Sequence, residues 1–324
     1  MVELGHEVWV VGPSVRSLAD LKGQYGYEAW PEVLPLSRDL AITHAQSARL
    51  WVTRGAAILR ALKADLAIVH GMLPVGSASD CEVLVVHDWE VNGRGPTIAR
   101  NLSRRAAFRR ADVVGVTCTE LISCVKAFGV NPLLIPNAIA VPVEPCLSFA
   151  DRQPLVVHIG THKYKNPLAT LQAWSLAPES DLVFIGPETP ELAAAIQLLS
   201  PSVRSRVRVA GFVPARELDQ YLRTARVVSV PSLYDVPVHS PSVLDAFANG
   251  TPVIASSVSS DLFKPQVNGL PIGPDAEDNA QGLTQLLIDS QRWTSLSEAA
   301  FATAHEFDRS VVVDRFLEWL RENS

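Results

Sequence analysis

The sequence predicts an α/β chain built from two doubly wound domains. Three observations carry this. Short Val-rich runs, apolar on both faces, alternate with helix-like segments, as a parallel sheet covered by helices requires. The alternation halts at a Pro-rich stretch, "AVPVEPCLSFADRQP" from Ala140 to Pro154, and then starts afresh. A length of 324 residues exceeds one ordinary core and suits two domains of roughly 150 residues.

In the first half the strand candidates are "HEVWVVG" from His6, "DLAIVHG" from Asp65, "EVLVVHD" from Glu82, "DVVGVTC" from Asp112 and "PLLIPNA" from Pro132. The second half offers "LVVHIG", "DLVFIG", "RVRVAGF", "RVVSVPS" and "TPVIASS". We place the domains at 1–146 and 147–307, with the closing helix 308–324 crossing back onto the first. Two such domains in tandem are expected to face a cleft lined by the C-terminal ends of their strands. The first strand is out of place. "ELGHEVWVVG" reads as the end of a first helix followed by a second strand, so the N-terminal domain lacks its opening βα unit. Either the start codon is set too late or this sheet closes in an unusual way.

Charge and composition exclude several classes. The net charge is −6, and residues 1–150 hold 14 basic and 14 acidic side chains against 14 and 20 in the remainder, so no nucleic-acid footprint exists. Apolar runs are strand-sized, and Glu3 stands where a signal peptide needs a base, which predicts a cytoplasmic protein without a membrane span. Cys81, Cys118, Cys124 and Cys146 lack C-x-x-C spacing and are expected as reduced thiols.

The chemistry concentrates in "PSLYDVPVHSPSVLDAFANGTPVIAS", residues 231–256. A buried strand delivers Tyr234 and Asp235 to its tip. A helix follows, with Ser240 placed to cap it, Pro241 in its first turn and Asn249-Gly250 stopping it. A helix N-terminus at the carboxyl end of a strand is a ready anion site, because its N–H groups and dipole both favour phosphate. Asp245 can accept hydrogen bonds from ribose hydroxyls and Asp235 from a sugar hydroxyl. Taken alone, the stretch serves equally as a capped structural helix.

From about Leu155 to the C-terminus, the chain resembles glycosyltransferase family 4, the group 1 glycosyl transferases of GT-B architecture. The resemblance rests on "LVVHIGTHKYKNPLATLQAW", "LVFIGPETPEL", "RVAGFVPARELDQYLRTARVVSVPSLYD", "DAFANGTPVIASS" and "VNGLPIGPDAEDNAQGLTQLL", in that order. The first half is similar more loosely, through "LGHEVWVVG", "DLAIVHG", "VVHDWE", "RRADVVGVTC" and "LLIPNA". The resemblance implies a retaining, metal-independent transfer of a sugar from a nucleotide-sugar donor to a hydroxyl acceptor, with no cofactor. His87 would face the cleft beside the reacting sugar. Lys165, with backbone N–H groups near Ser242 and Val243, would hold the diphosphate. Asp245 would take the ribose, Asp235 the donor sugar, and backbone around Phe212 the base. His162, Lys163 and His239 are further candidates. His87-Asp88-x-Glu90 read as metal ligands is the weaker alternative, since no D-x-D or third ligand pattern follows.

Three departures favour a second reading, a non-catalytic nucleotide-sugar binding or scaffold protein. The family's two glutamates, with seven residues between them, are here aspartates with nine between. Its arginine after Gly160 is Thr161, and a guanidinium's bidentate phosphate contact is not replaced by histidine. Its first glycine loop is missing. Separately, "RGPTIARNLSRRAAFRR" holds six arginines and no acid between Arg94 and Arg110. This helix is expected to be a solvated face packed by Ile98, Leu102, Ala106 and Phe108; the alternative is contact with an anionic lipid or acceptor, making the protein peripheral on the inner membrane face. His70, His158 and His305 are expected as core or surface residues.

Overall fold

The computed structural model describes residues 9–14, 32–37, 56–63, 65–70, 81–87, 89, 97–144, 146–273 and 275–323. The chain forms two compact units, Met1–Ile135 and Pro136–Ser324. The division falls ahead of the predicted boundary at 146. Residues 137–141 are bonded within the second unit: Asn137 Nδ2 donates to His239 O at 2.7 Å, and Arg309 N to Ile139 O at 2.8 Å. The closing helix, Arg309–Asn323, belongs to that unit as well.

The first unit contains β1 (Trp9–Ser14), β2 (Glu32–Ser37), β3 (Leu66–His70), β4 (Cys81–Val86), β5 (Val113–Val116) and β6 (Leu133–Leu134), all paired in parallel. They fall into two sheets, β1-β2 and β3-β4-β5-β6. β2 was not legible in the sequence, because Pro35 in its middle argues against a strand. Among the described residues the core of this unit is Val83 to Val86, Val114, Val116, Leu121 and Val125, with Phe108 and Trp89 edge-on to Phe128.

In the second unit, β7 (Gln153–Ile159), β8 (Asp181–Ile185), β9 (Val207–Gly211), β10 (Ala225–Pro231), β11 (Val253–Ser256) and β12 (Gly269–Pro271) form one parallel sheet of order β12-β11-β10-β7-β8-β9. The order in which the chain adds strands reverses between β7 and β10, and this switch point is where doubly wound sheets bind ligands. Successive strand residues point to opposite faces, which the burial follows. Val157, Val183, Ile185 and Val228 pack with Val243, Leu244 and Phe247 on one side. Val156, Phe184 and Val227 pack with Leu171, Trp174 and Leu283 on the other.

Arg152, one residue before β7, is 3% exposed and is surrounded by acceptors. Its Nε donates to Leu147 O, one terminal nitrogen to Leu222 O, Ala225 O and Thr251 Oγ1, the other to Asn249 O and Gly250 O, at 2.6 to 3.3 Å. Burial lowers its pKa to about 10, so it remains a cation at neutral pH. The carbonyls it collects end the helices Ala215–Thr224 and Pro241–Ala248, where the helix dipoles favour positive charge. Arg152→Met strands these carbonyls in the interior, and urea denaturation should show a loss of about 3 to 5 kcal/mol.

Candidate functional site

The site assembles at the carboxyl ends of β7 and β10. β7 runs into Gly160 at φ +89°, a left-handed backbone suited to glycine, and a Cβ there would meet Lys165 Cγ at 3.0 Å. The glycine thus lets the lysine stem fold back over the strand end. Residues Lys163–Lys165 make a single 3₁₀ turn, with Lys165 N donating to His162 O at 2.8 Å, and Asn166 at φ 54° opens the helix Pro167–Leu176. Burial of Lys165 lowers its pKa. Its Nζ stands 5.9 Å from the Tyr164 ring and 5.7 Å from the Tyr234 ring, within reach of both π-faces. His162 and Lys163 are exposed, and His162 stacks on Tyr164 with centroids 5.8 Å apart.

Beneath this turn lies a relay that sequence reasoning assigned only to the core. His158 is buried; its Nε2 is 2.7 Å from Gly160 O and its Nδ1 2.8 Å from Thr170 Oγ1. Burial brings its pKa down to about 4, so the ring is neutral at pH 7. A carbonyl oxygen only accepts, so Nε2 carries the proton and Nδ1 accepts from Thr170. Thr170 Oγ1 in turn accepts from Ser229 Oγ at 2.8 Å. The chain of bonds joins the turn after β7 to the middle of β10. Thr161, the residue in the family's arginine position, is buried and donates from Oγ1 to Pro187 O at 2.5 Å. Gly186, at φ +136°, leaves it room. The threonine ties the turns after β7 and β8 together and brings no charge to the site.

The loop 232–240 after β10 is anchored on both sides. Leu233 N donates to Tyr164 O at 2.7 Å, Val238 N to Ser257 O at 3.0 Å and Ser259 N to Val238 O at 2.9 Å. Asp235 is exposed on this loop. His239 does not reach outward as a donor ligand would: it is 2% exposed and lies edge-on to Phe307 at 4.7 Å, because the anchored loop turns inward there. The helix Pro241–Ala248 begins at Ser240 as predicted, but the serine side chain makes no capping bond. Its Oγ is buried without a partner, as is Ser232 Oγ. Val243 N turns back to Ser240 O at 3.1 Å, beside buried Ser242. Gly250 at φ +61° stops the helix, with Thr251 N donating to Ala246 O at 2.9 Å.

Asp245 sits half-buried on this helix. Burial first, and Asp219 second, raise its pKa to about 7. Asp219, on the helix Ala215–Thr224, is itself raised by burial and bonded to the Asn249 side chain, whose Nδ2 also donates to Asp245 O at 3.0 Å. Sequence reasoning missed Asp219; only the packing of two helices pairs it with Asp245. Phe212, just past β9, is 78% exposed.

In the first unit His87 follows β4, and its Nε2 is 2.6 Å from His70 Nδ1 at the end of β3. Asp88, Glu90 and Arg94 lie outside the described residues, among which no group of three or more metal-ligating side chains occurs. His305 is exposed and edge-on to Phe301 at 4.8 Å. The basic helix, Thr97–Arg110, does not pack as expected. Ile98 is 77% and Leu102 61% exposed, and Ala106 is exposed too, whereas Arg104, Ala107 and Phe108 are buried. Arg104 lies 4.0 Å over the Trp89 ring, so a cation–π contact takes the inward position expected of an aliphatic residue.

The fold defined by these sheets is GT-B. Sucrose-phosphate synthase from Thermosynechococcus elongatus superposes with a TM-score of 0.80 at 18% identity, covering 99% of this chain and 90% of that one. HepE of Anabaena, in complex with UDP-glucose, gives a TM-score of 0.75 at 17% identity over 97% and 91%. Residues 153–289 match the family model of the glycosyl transferases group 1. An uncharacterised glycosyltransferase of Methanocaldococcus jannaschii is 37% identical over 90 residues, 27% of this chain; the match spans less than a quarter of that relative's length.

The pKa values set a sign for stability. A carboxyl whose folded pKa is raised favours the folded state fully below its unfolded value near 3.8, and this contribution is lost as pH rises through about 7. Asp245→Asn should therefore gain melting temperature over the parent between pH 4.5 and 8, with the difference level above that range. Thermal melts across this range are the check, and a parallel pH dependence of the two proteins would contradict the Asp245 assignment.

Proposed function

We propose that this protein is a retaining glycosyltransferase that moves a sugar from a nucleotide-sugar donor to a hydroxyl acceptor, without a bound metal or cofactor. The observation that carries the reading is Lys165, a desolvated cation folded over Gly160 at the switch point of the segment that matches the glycosyl transferases group 1 model. The acceptor oxygen bonds to the anomeric carbon as that carbon's bond to the phosphate oxygen breaks. The electron pair leaves with the nucleoside diphosphate, and the acceptor proton passes to a base or to the departing phosphate.

Charge develops on the leaving diphosphate, so a preorganised cation and N–H groups aimed at it supply the largest share of catalysis. Lys165 does this together with the start of the helix Pro241–Ala248 at Ser242, beside Val243 whose N–H is engaged by Ser240 O; exposed Lys163 adds positive charge and exposed His162 a ring that can hydrogen-bond the phosphates. Asp245 accepts from the ribose hydroxyls and Asp235 from the donor sugar. Phe212 lies against the base. His87, in the first unit, orients the reacting sugar. Burying the ribose against Asp245 favours ionisation of a carboxyl that is only partly ionised when the site is empty, so donor binding should release protons near pH 7. The complex of HepE with UDP-glucose makes UDP-sugars the first donors to try.

Thr161, locked to Pro187 O, and the shortened, respaced acid pair favour the second reading, a nucleotide-sugar-binding scaffold that no longer transfers. Calorimetry with UDP, GDP, ADP and TDP tests the donor site. One nucleotide should bind selectively, with Lys165→Ala and Asp245→Ala each weakening it at least about tenfold, some 1.4 kcal/mol. Binding without turnover of any donor selects the scaffold, and no binding removes both readings.

The acceptor side points toward an anionic surface, which is consistent with a cytoplasmic protein peripheral on the membrane. Exposed Ile98 and Leu102 share the outer side of the Thr97–Arg110 helix with Arg105, Arg109 and Arg110, and no acid lies between. No described helix is long and apolar enough to cross a membrane. Each arginine contributes about 1 kcal/mol at a phosphatidylserine-containing bilayer. Cosedimentation with such vesicles should fall more than about tenfold on Arg105→Glu/Arg109→Glu, and equal binding to neutral vesicles would overturn the contact.

A further inference from the structure

The contact between His70 and His87 has no place in the donor-site reading. β3 and β4 are parallel neighbours in a register that sets His70 opposite Val85, and His87 follows two residues later. Their rings lie with centroids 4.9 Å apart at 36°, and His70 Nδ1 is 2.6 Å from His87 Nε2. Two bare ring nitrogens at that distance would set lone pair against lone pair, and two protonated ones would set N–H against N–H. One proton must lie between them, donated by one ring and accepted by the other. Thr117 Oγ1 donates to His87 O at 3.3 Å, so the backbone carrying the second ring is held from β5 as well.

We propose that His70 is a positioning residue that fixes the ring orientation and tautomer of His87 through this single shared proton; the inference rests on the reading of His87 as the first unit's contribution to sugar transfer. Neutral imidazole intrinsically favours the Nε2–H tautomer. With both rings in that form, His87 Nε2 donates and His70 Nδ1 accepts, leaving Nδ1 as the acceptor nitrogen of His87. Partial desolvation of His70, whose side chain is otherwise exposed, lowers its pKa and so favours the neutral ring able to accept. Were His70 absent, the His87 ring would lose one of its restraints and populate both tautomers, of which one presents the wrong nitrogen.

The test uses the full chain labelled with ¹⁵N-histidine. Long-range ¹H–¹⁵N spectra, assigned with His70→Asn, His70→Phe and His87→Asn, report which nitrogen of each ring is protonated. The parent should show His87 protonated at Nε2. His70→Phe should average the two His87 tautomers, and His70→Asn should restore the parent pattern, because the asparagine side-chain oxygen can take the place of Nδ1. With the donor that the protein turns over, His70→Phe should lower kcat about 10- to 100-fold while donor KM stays within about twofold, and His70→Asn should recover most of the loss. An unaltered His87 tautomer in His70→Phe, or equal kcat losses in the phenylalanine and asparagine variants, overturns the proposal. Absence of transfer in the parent, or full activity of His87→Asn, refutes the transferase role of His87 instead, and the spectra still decide whether the pair exists.

Discussion

The second unit depends on one buried guanidinium. Two helices, Ala215–Thr224 and Pro241–Ala248, must end beside each other so that the second begins at the switch point, and their terminal carbonyls would otherwise crowd in a dry interior. Arg152 resolves this with a planar fork that a lysine ammonium could not match. Burying the cation is costly, and its described hydrogen bonds go to backbone carbonyls and the Thr251 hydroxyl, not to a carboxylate; this ring of oxygen acceptors and the face of Trp293, 4.8 Å away, offset the cost. With its carbonyl end clamped, the Pro241–Ala248 helix keeps its N–H end at the ligand side of the sheet.

A second network prepares the turn that holds Lys165. His158, Thr170 and Ser229 pass hydrogen bonds from β10 through the sheet to Gly160 O, and every donor in that chain has a determined direction. The neutral imidazole matters because the lysine is close enough to depress it further. A protonated ring there would put two like charges in the same low-dielectric space. Thr161 extends the network sideways to Pro187. Thr161 therefore supplies a tie between two turns and no guanidinium.

Shifted and unpartnered polar groups collect around the site. Lys165 is lowered, Asp245 and Asp219 are raised, and two serine hydroxyls, Ser232 and Ser240, are buried without partners. Each of these is a cost to stability that a polar ligand can relieve, and functional sites are where such costs collect. Asp245 illustrates the coupling. The packing that brings Asp219 against it disfavours its charge, and hydrogen bonds from ribose hydroxyls would restore it.

Much of this was legible in sequence. Period and composition mark the strands because a buried parallel strand must be apolar on both faces, and Gly160, Pro241 and Gly250 announce their turns because few other residues fit those backbones. β2 was hidden by Pro35, and the inward side of the Thr97–Arg110 helix was misread because arginine can bury its stem and stack on Trp89. The pairings of His70 with His87, Asp219 with Asp245 and Arg152 with two helix ends join residues far apart in the chain. No local pattern encodes such contacts. The sequence by itself determined the alternation of strands and helices and put forward the candidate donor-site residues, whereas tertiary structure decided which of their polar groups are partnered, desolvated or turned away, since those properties depend on neighbours that only the packed sheet supplies.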